Sequence, residues 1–225
     1  MPSRFAFFAK KEDLISRFPV DKIDMDYYNY YNIKPTNRVI GIVNSEETGE
    51  NEVVRLRWGF VKGNKFFKAR GETIHEKRLF GKAFKERRCL ILANGFFEWK
   101  KEEGRSIPFY FKMKNDDLFA IGGVYNKYID GEDEDKTKYR FAIITVEPNE
   151  IVEEIFHRMP LIFSRENELK WLDSETPEDD LLAMIIPYSG DLMEKYQVRE
   201  LPSRKDRGPD TIAPVTKTTA LDDFF

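Results

Sequence analysis

The sequence predicts a mixed α+β domain built on antiparallel strands, and three observations carry that prediction. Short β-branched and aromatic runs recur between turn signals, over 39–43, 53–60, 89–93, 109–113, 118–125, 139–146 and 161–163. Helical patterns are fewer and do not alternate regularly with these runs, which argues against a doubly wound parallel sheet. The chain has 225 residues, no internal repeat and no Pro/Gly/Ser linker that would separate two units, so one large domain over 1–225 is the simpler organisation.

Taken in order, the first two strands, 39–43 and 53–60, are rich in Val, Ile and aromatic residues and end on Arg57-Trp58-Gly59-Phe60. A basic helix over 74–85 follows, with apolar Leu79, Ala83 and Phe84 on one side. Between the strands 118–125 and 139–146 lies Asp130-Gly131-Glu132-Asp133-Glu134-Asp135, which reads as an exposed hairpin tip. A short helix is predicted over 149–156. Ser164 stands where an N-cap belongs before a helix over 166–172, and Pro177 followed by two acids opens another over 178–186.

Composition removes several classes of function. Hydrophobic residues at 41% against 34% charged give a chain that buries a core without metal or disulfide staples. Cys89 is the single cysteine and there are two histidines, His75 and His157, so neither an internal disulfide nor a Cys/His zinc cage can be assembled. No apolar run approaches the ~20 residues of a membrane span, and the N-terminus has no secretory h-region, which predicts a soluble, cytoplasmic protein. No Walker loop, Gly-x-Gly-x-x-Gly, His-Glu-x-x-His or Gly-x-Ser-x-Gly signature occurs. The net charge of −3 hides an asymmetry: 55–88 holds twelve Lys/Arg against Glu72, Glu76 and Glu86, a net +9. Such a segment points to a phosphate-bearing partner, or to a solvated face neutralised by acids elsewhere in the fold.

Two polar residues stand in apolar surroundings. Glu98, in Asn94-Gly95-Phe96-Phe97-Glu98-Trp99, lies among large aromatics that disfavour its charge, as suits a general acid or base; the alternative is a carboxylate paired with an arginine. His157, in Ile155-Phe156-His157-Arg158-Met159-Pro160, falls between a short helix and a strand, where a histidine serves either proton transfer or structure.

Six motifs occur in the order of one family: Tyr31-Asn32-Ile33-Lys34-Pro35-Thr36, Arg57-Trp58-Gly59-Phe60, Ala69-Arg70-Gly71-Glu72-Thr73, Arg88-Cys89-Leu90-Ile91, Gly95-Phe96-Phe97-Glu98-Trp99 and His157-Arg158-Met159-Pro160. From about Arg4 to about Pro202 the sequence resembles the SRAP family, the SOS-response-associated peptidases that crosslink to abasic sites in single-stranded DNA. The resemblance implies a single α+β domain whose antiparallel strands form a barrel-like core with flanking helices. It also implies a positively charged channel for single-stranded DNA, which would make the +9 segment a phosphate-tracking surface. Arg4, Arg70 and Arg158 would then be DNA contacts, Pro35 and Trp58 would shape the site or the core near it, and Phe66 and Phe67 would offer stacking surfaces. Glu98 and His157 match the family's catalytic glutamate and histidine, which move protons during Schiff-base formation, sugar ring opening and crosslink reversal. The implied partner is single-stranded DNA carrying an abasic site, bound by a monomer without metal or cofactor, at the nucleoid upon DNA damage in a prokaryote.

The sequence departs from the family at two places that touch the same chemistry. Met1-Pro2-Ser3-Arg4-Phe5 stands where the family has Met-Cys-Gly-Arg-Phe, so the crosslinking thiol is missing and Pro2 takes its place. Lys68 occupies the position of an asparagine that holds the abasic sugar. Removal of Met1 would leave Pro2 with a free secondary amine. An α-amine ordinarily titrates at about 7.7–8.0, which keeps more of it neutral than a lysine at about 10.4. That amine would form an iminium, which favours β-elimination of the 3′ phosphate over a durable crosslink. Lys68 is a second amine able to do the same if burial depresses its pKa. The alternatives are a DNA-binding relative without catalysis, which retention of Met1 would favour, and a peptidase.

Overall fold

The structure is a computed structural model and describes residues 4–18, 20, 23, 25–61, 66–129, 137–201 and 208–215. The chain opens with β1 (Arg4–Phe7), α1 (Lys11–Arg17), β2 (Tyr30–Ile33), β3 (Arg38–Asn44) and β4 (Asn51–Trp58). Next come β5 (Lys68–Arg70), α2 (Gly81–Glu86), β6 (Arg88–Ala93), β7 (Gly95–Glu102) and β8 (Arg105–Met113). The last part forms β9 (Phe119–Ile129), β10 (Thr137–Val146), α3 (Glu150–Glu153), β11 (Met159–Pro160), α4 (Arg165–Leu172), α5 (Glu178–Ala183) and β12 (Met193–Gln197).

Two sheets result. One is antiparallel throughout, in the order β12-β8-β7-β1-β2. In the other, β10 pairs with β4 on one side and β9 on the other, so that β10, β4, β3, β6 and β9 close into a five-stranded ring. Closure removes two sheet edges that would otherwise offer unpaired backbone groups. The expected α+β architecture with a barrel-like antiparallel core is therefore present. The exceptions to antiparallel pairing are the contacts of β10 with β4, at Tyr139 to Phe141, and with β5, at Ile143 to Thr145. Successive stretches of one long strand thus hold Trp58 and the Lys68–Arg70 segment in line, Phe141 opposite Trp58 and Thr145 opposite Arg70.

Aromatic residues fill the space inside and between the sheets. Trp58 stacks on Phe141 at 6.0 Å and tilts against Phe5 at 5.2 Å, while Phe96 stacks on Phe111 at 4.9 Å. A smaller cluster of Ala6, Phe97, Tyr110, Val198 and Leu201 covers the other face of the first sheet. The alternation along β7 is direct: Phe96 joins the main core and Phe97 the outer cluster, so Glu98 turns to the same side as Phe96. Gly95 lets β7 lie this close, since a Cβ there would stand 2.5 Å from the carbonyl oxygen of Phe111.

The strands expected from the pattern appear with shifted ends, apart from 161–163. There the pairing falls on Met159–Pro160, and Ile162 makes an isolated bridge to Ile121. The helix expected over 74–85 is reduced to α2. Gly81 is the first residue of the helix that forms, and Phe80, its N-cap, packs on Phe60 at 4.9 Å. Ser164 caps α4 by accepting from the Asn167 amide at 3.4 Å, and Asn149 caps α3 by accepting from the Val152 amide at 3.0 Å. Arg88 is buried and donates to the carbonyls of Phe84, Trp171 and Asp173, satisfying the C-terminal ends of α2 and α4. The acidic run 130–135 lies outside the described residues; β9 and β10 pair as a hairpin on either side of it, up to Ile129 opposite Thr137. Among the described residues no helix is long and apolar enough to cross a membrane.

Candidate active site

The site centres on Glu98 on β7 and Lys68 on β5, whose charges act on each other. Glu98 is 1% exposed on β7, and burial pushes its carboxyl up to about 7, with nearby positive charge, Lys68 among it, pulling the other way. Lys68 begins β5, half-buried, and burial lowers its amine to about 8 while the charge of Glu98 acts to raise it. The two groups are thus each other's electrostatic neighbours across the sheets, and both are held near neutrality. Of the alternatives for Glu98, arginine pairing gives way: its basic neighbour on β5 is a lysine.

Arg4 lies half-buried on the face of the first sheet opposite to Glu98. It sits across from Phe97, the residue before Glu98, donates to Asn32 Oδ1 at 3.0 Å, and lies over the Trp99 ring at 5.7 Å. Burial lowers its pKa without removing its charge from a group so basic. Pro2 lies outside the described residues.

Pro35 occupies the second position of a tight turn closed by the Asn37 amide on the Lys34 carbonyl at 3.0 Å. Thr36, third in that turn, has φ 80°, a left-handed conformation in which a β-branched residue is strained. Two backbone hydrogen bonds, Thr36 to Trp58 at 3.0 Å and Trp58 to Asn37 at 2.9 Å, clamp the turn to the end of β4. Trp58 itself is 0% exposed and its Nε1 donates to the Phe67 carbonyl at 2.7 Å. Of the two roles expected for Trp58, its burial favours the core: its ring has no surface to offer DNA, and it holds the Pro35 turn and the Phe67 backbone. Phe66, just before, is half exposed with φ 59°, so its ring stands out of the surface two residues from Lys68.

Arg70 follows Lys68 on the same face of β5 and is exposed. Gly71 lets the chain pack closely on Ile185, because a Cβ would stand 2.3 Å from its Cγ2. Arg158, expected as a DNA contact, is likewise turned inward. It is buried, and its guanidinium is committed to Glu72 at 2.7 and 2.9 Å, to Glu147 at 2.6 Å and to the Thr145 carbonyl at 2.5 Å. Although partial burial pushes the Glu72 carboxyl up, hydrogen bonds from Arg158 hold it below its ordinary value. Arg158 ties the segment before β11 to β10 and so positions His157, which is exposed and rests against Phe156 at 4.2 Å.

The rest of the basic segment divides. Lys82 and Arg87 pair with Glu86, Lys85 pairs with Glu178 at 2.7 Å, and Arg88 is spent on helix ends. Among the described residues Arg70, Lys77 and Arg78 are exposed with no ion pair. Cys89 is fully buried and its thiol is pushed far up by desolvation, so it has no nucleophilic character. Sequence reasoning missed β5, the Arg158 network and the electrostatic coupling of Glu98 with Lys68. Only a strand three residues long brings them together, which leaves no periodic signal to read.

The first sheet and the barrel closed by one long strand thus carry a buried carboxyl on β7 and, on β5, a half-buried lysine and an exposed arginine. The chain belongs to the family described as SOS response associated peptidase (SRAP), whose family model matches residues 1–202. It is 36% identical over 225 residues to the abasic site processing protein YoqW of Bacillus subtilis (strain 168), covering 94% of this chain and 99% of that one. It is 26% identical over 184 residues to the abasic site processing protein YedK of Escherichia coli (strain K12), covering 78% and 81%. A crystal structure of a protein from Bacteroides thetaiotaomicron superposes with a TM-score of 0.78 at 24% identity, covering 95% of this chain and 99% of that one, and shares its fold.

Proposed function

We propose that this chain, acting as one domain over 1–225 and as a monomer, binds single-stranded DNA and processes its abasic sites through a transient Schiff base. The observation that carries the reading is Glu98: a carboxyl buried among aromatics and pushed by that burial up to about 7. Such a group gives a proton to a departing hydroxyl and takes one back in the next step. The names of the relatives, abasic site processing proteins, supply the substrate. With Met1 removed, the secondary amine of Pro2 attacks C1′ of the ring-opened sugar and leaves an iminium that draws electrons from C2′. Loss of the C2′ proton then expels the 3′ phosphate oxygen and cleaves the strand. His157, exposed and anchored by Arg158, is assigned to proton transfer at the solvent side of the site. Arg4 and Arg70 are assigned to flanking phosphates, and Phe66 to stacking on an unpaired base. Cys89 offers no buried thiolate for a peptidase, so hydrolysis of peptides has no nucleophile among the described cysteines.

Intact mass of the protein, alone and after incubation with an abasic-site oligonucleotide with and without borohydride, tests the reading. A borohydride-dependent adduct with concurrent strand cleavage is expected. DNA binding without adduct or cleavage would leave a binding module and overturn the catalytic reading.

A further inference from the structure

The outer face of the barrel carries a row of arginines that the site on β5 does not use. Arg38 on β3 stands directly opposite Arg57 on β4, and Arg57 stands opposite Arg140 on β10, so three guanidiniums leave the same face of three neighbouring strands. Arg55, two residues before Arg57, shares that face and is exposed, while Val54, Leu56 and Trp58 alternate with them into the core. Neighbouring strands lie about 4.8 Å apart, and like charges directly opposite one another across them repel. Among the described residues no carboxylate pairs with Arg38, Arg55 or Arg57. Arg55 donates to the Asp26 backbone carbonyl at 2.7 Å, Arg140 lies over the Tyr128 ring at 5.8 Å, and Arg57 Nε is buried with no acceptor. Arginines that repel one another without an acid between them call for an anion from outside.

Strand register separates this row from the site. Lys68 and Arg70 pair with Ile143 and Thr145, which share a face of β10 with Phe141, the partner of Trp58. Arg140 lies an odd number of positions from each of these and projects from the other face. Beside the row is a groove of about 180 Å³, whose lining includes Arg38 and Arg55 together with Tyr27, Tyr28 and Tyr30. Tyr28 is 70% exposed and Tyr30 39%, and the two rings stand edge to face at 6.4 Å. Planar guanidinium forks match phosphate oxygens, and exposed rings beside them offer platforms for unpaired bases. An acidic protein segment would answer the charge and leave those rings without a stacking partner, so the pairing of the two favours a nucleic-acid strand.

We propose that this outer face is a second binding surface for single-stranded DNA, with phosphates along Arg38, Arg55, Arg57 and Arg140 and bases stacked on Tyr28 and Tyr30. The inference rests on the single-stranded DNA part of the reading above and extends the bound strand beyond the nucleotides that Arg70 meets.

The test uses the full chain and a single strand of about 20 nucleotides without an abasic site, long enough to reach past one binding platform. Fluorescence anisotropy against salt compares wild type with the triple variant Arg38→Gln, Arg55→Gln, Arg57→Gln. The slope of log K against log salt is expected to flatten by about 2, three charges at about 0.7 each. Its melting temperature is expected to equal or exceed that of wild type, because the repulsion is relieved. In parallel, the wild-type chain is irradiated with the same strand carrying 5-iodouracil and the adducts are mapped by peptide mass, which does not depend on how the variant folds. A crosslink on the peptide carrying Tyr28 and Tyr30 is expected. An unchanged slope, or crosslinks confined to the segment around Phe66 and Arg70, would overturn this inference and leave the abasic-site reading standing. A variant that keeps the DNA slope and loses binding to a polyglutamate peptide would assign the face to a protein partner and overturn it too. Failure of the wild-type chain to bind single-stranded DNA at all would overturn both.

Discussion

The opposed pKa shifts at Glu98 and Lys68 dictate a pH dependence that can be worked out in advance. Schiff-base formation needs the carboxyl protonated and the amine neutral at once. With Glu98 near 7 and Lys68 near 8, each is in the required state about 24% of the time at pH 7.5, so about 6% of molecules are productive. At pH 5.5 the amine falls to about 0.3% neutral, and at pH 9.5 the carboxyl to about 0.3% protonated, so the rate drops roughly 20-fold on either side. A solvent-exposed pair with ordinary values would be productive in only about one molecule in a million. Single-turnover trapping with borohydride across pH 5 to 10 measures the curve, and a bell centred near pH 7.5 is expected. Glu98→Gln removes the acid and also the negative charge that raises the Lys68 amine. Its profile is expected to lose the alkaline limb, to reach its plateau at lower pH, and to lie about 10²-fold below wild type at the optimum. A wild-type rate that climbs steadily to pH 10, or a Glu98→Gln profile of unchanged shape, would refute the assignment of Glu98 as the acid.

Other expectations follow from the same geometry. Glu98 binds its proton more tightly folded than unfolded, so folding takes up a proton between about pH 4.5 and 7 and stability falls as pH rises through that window. Glu98→Gln is therefore expected to be more stable than wild type by about 2–3 kcal/mol at pH 8, with the difference vanishing toward pH 4.5, as urea unfolding at both pH values reads. Arg70→Ala is expected to flatten the slope of log K against log salt for single-stranded DNA by about 0.7, measured by fluorescence anisotropy. Arg158→Lys, which loses the bidentate contact to Glu72, is expected to cost about 1–3 kcal/mol of stability while leaving that slope unchanged; a changed slope would place Arg158 on DNA after all. Phe66→Ala is expected to weaken DNA binding by about 1–3 kcal/mol with little effect on unfolding, since half of that ring is already in water.

Much of the fold was legible because its strands are long and β-branched. The runs that became β3, β4, β6, β9 and β10 carry Val and Ile at enough positions to register against any background. The elements that pass unnoticed are those whose residues answer to tertiary partners. β5 is Lys-Ala-Arg, with one apolar residue, and exists because β10 offers it three positions of parallel pairing. The helix expected over 74–85 failed for the same reason in reverse: its local pattern was adequate, and Phe80, packed on Phe60, became the N-cap of a shorter helix. At the site, Glu98 stood out as a charge among aromatics, and burial bears out that signal. Trp58 and Arg158 show where the same reasoning stops. A tryptophan and an arginine in family motifs look like ligands for bases and phosphates, yet each meets its hydrogen-bonding needs inside the protein, Trp58 on Phe67 and Arg158 on Glu72, Glu147 and Thr145. One-dimensional patterning does not say which way these side chains face.

What separates the two roles of positive charge here is desolvation. Arg88 and Arg158 are buried and surrounded by acceptors, so their charge is consumed locally and holds helix ends and strand ends in place. Arg70 remains in water with its charge free to meet a phosphate. Lys68 lies between these cases: half-buried, with a carboxyl for company that is itself reluctant to ionise. A pair in which neither partner is comfortable charged is a weak salt bridge and a good proton-transfer couple, because little energy separates its ionic from its neutral form. An arginine in place of Lys68 would stay charged, pull Glu98 into ionisation and quench the couple. The side chain that suits this position is one that can lose its proton, and that requirement is what an amine coupled to a buried carboxyl meets.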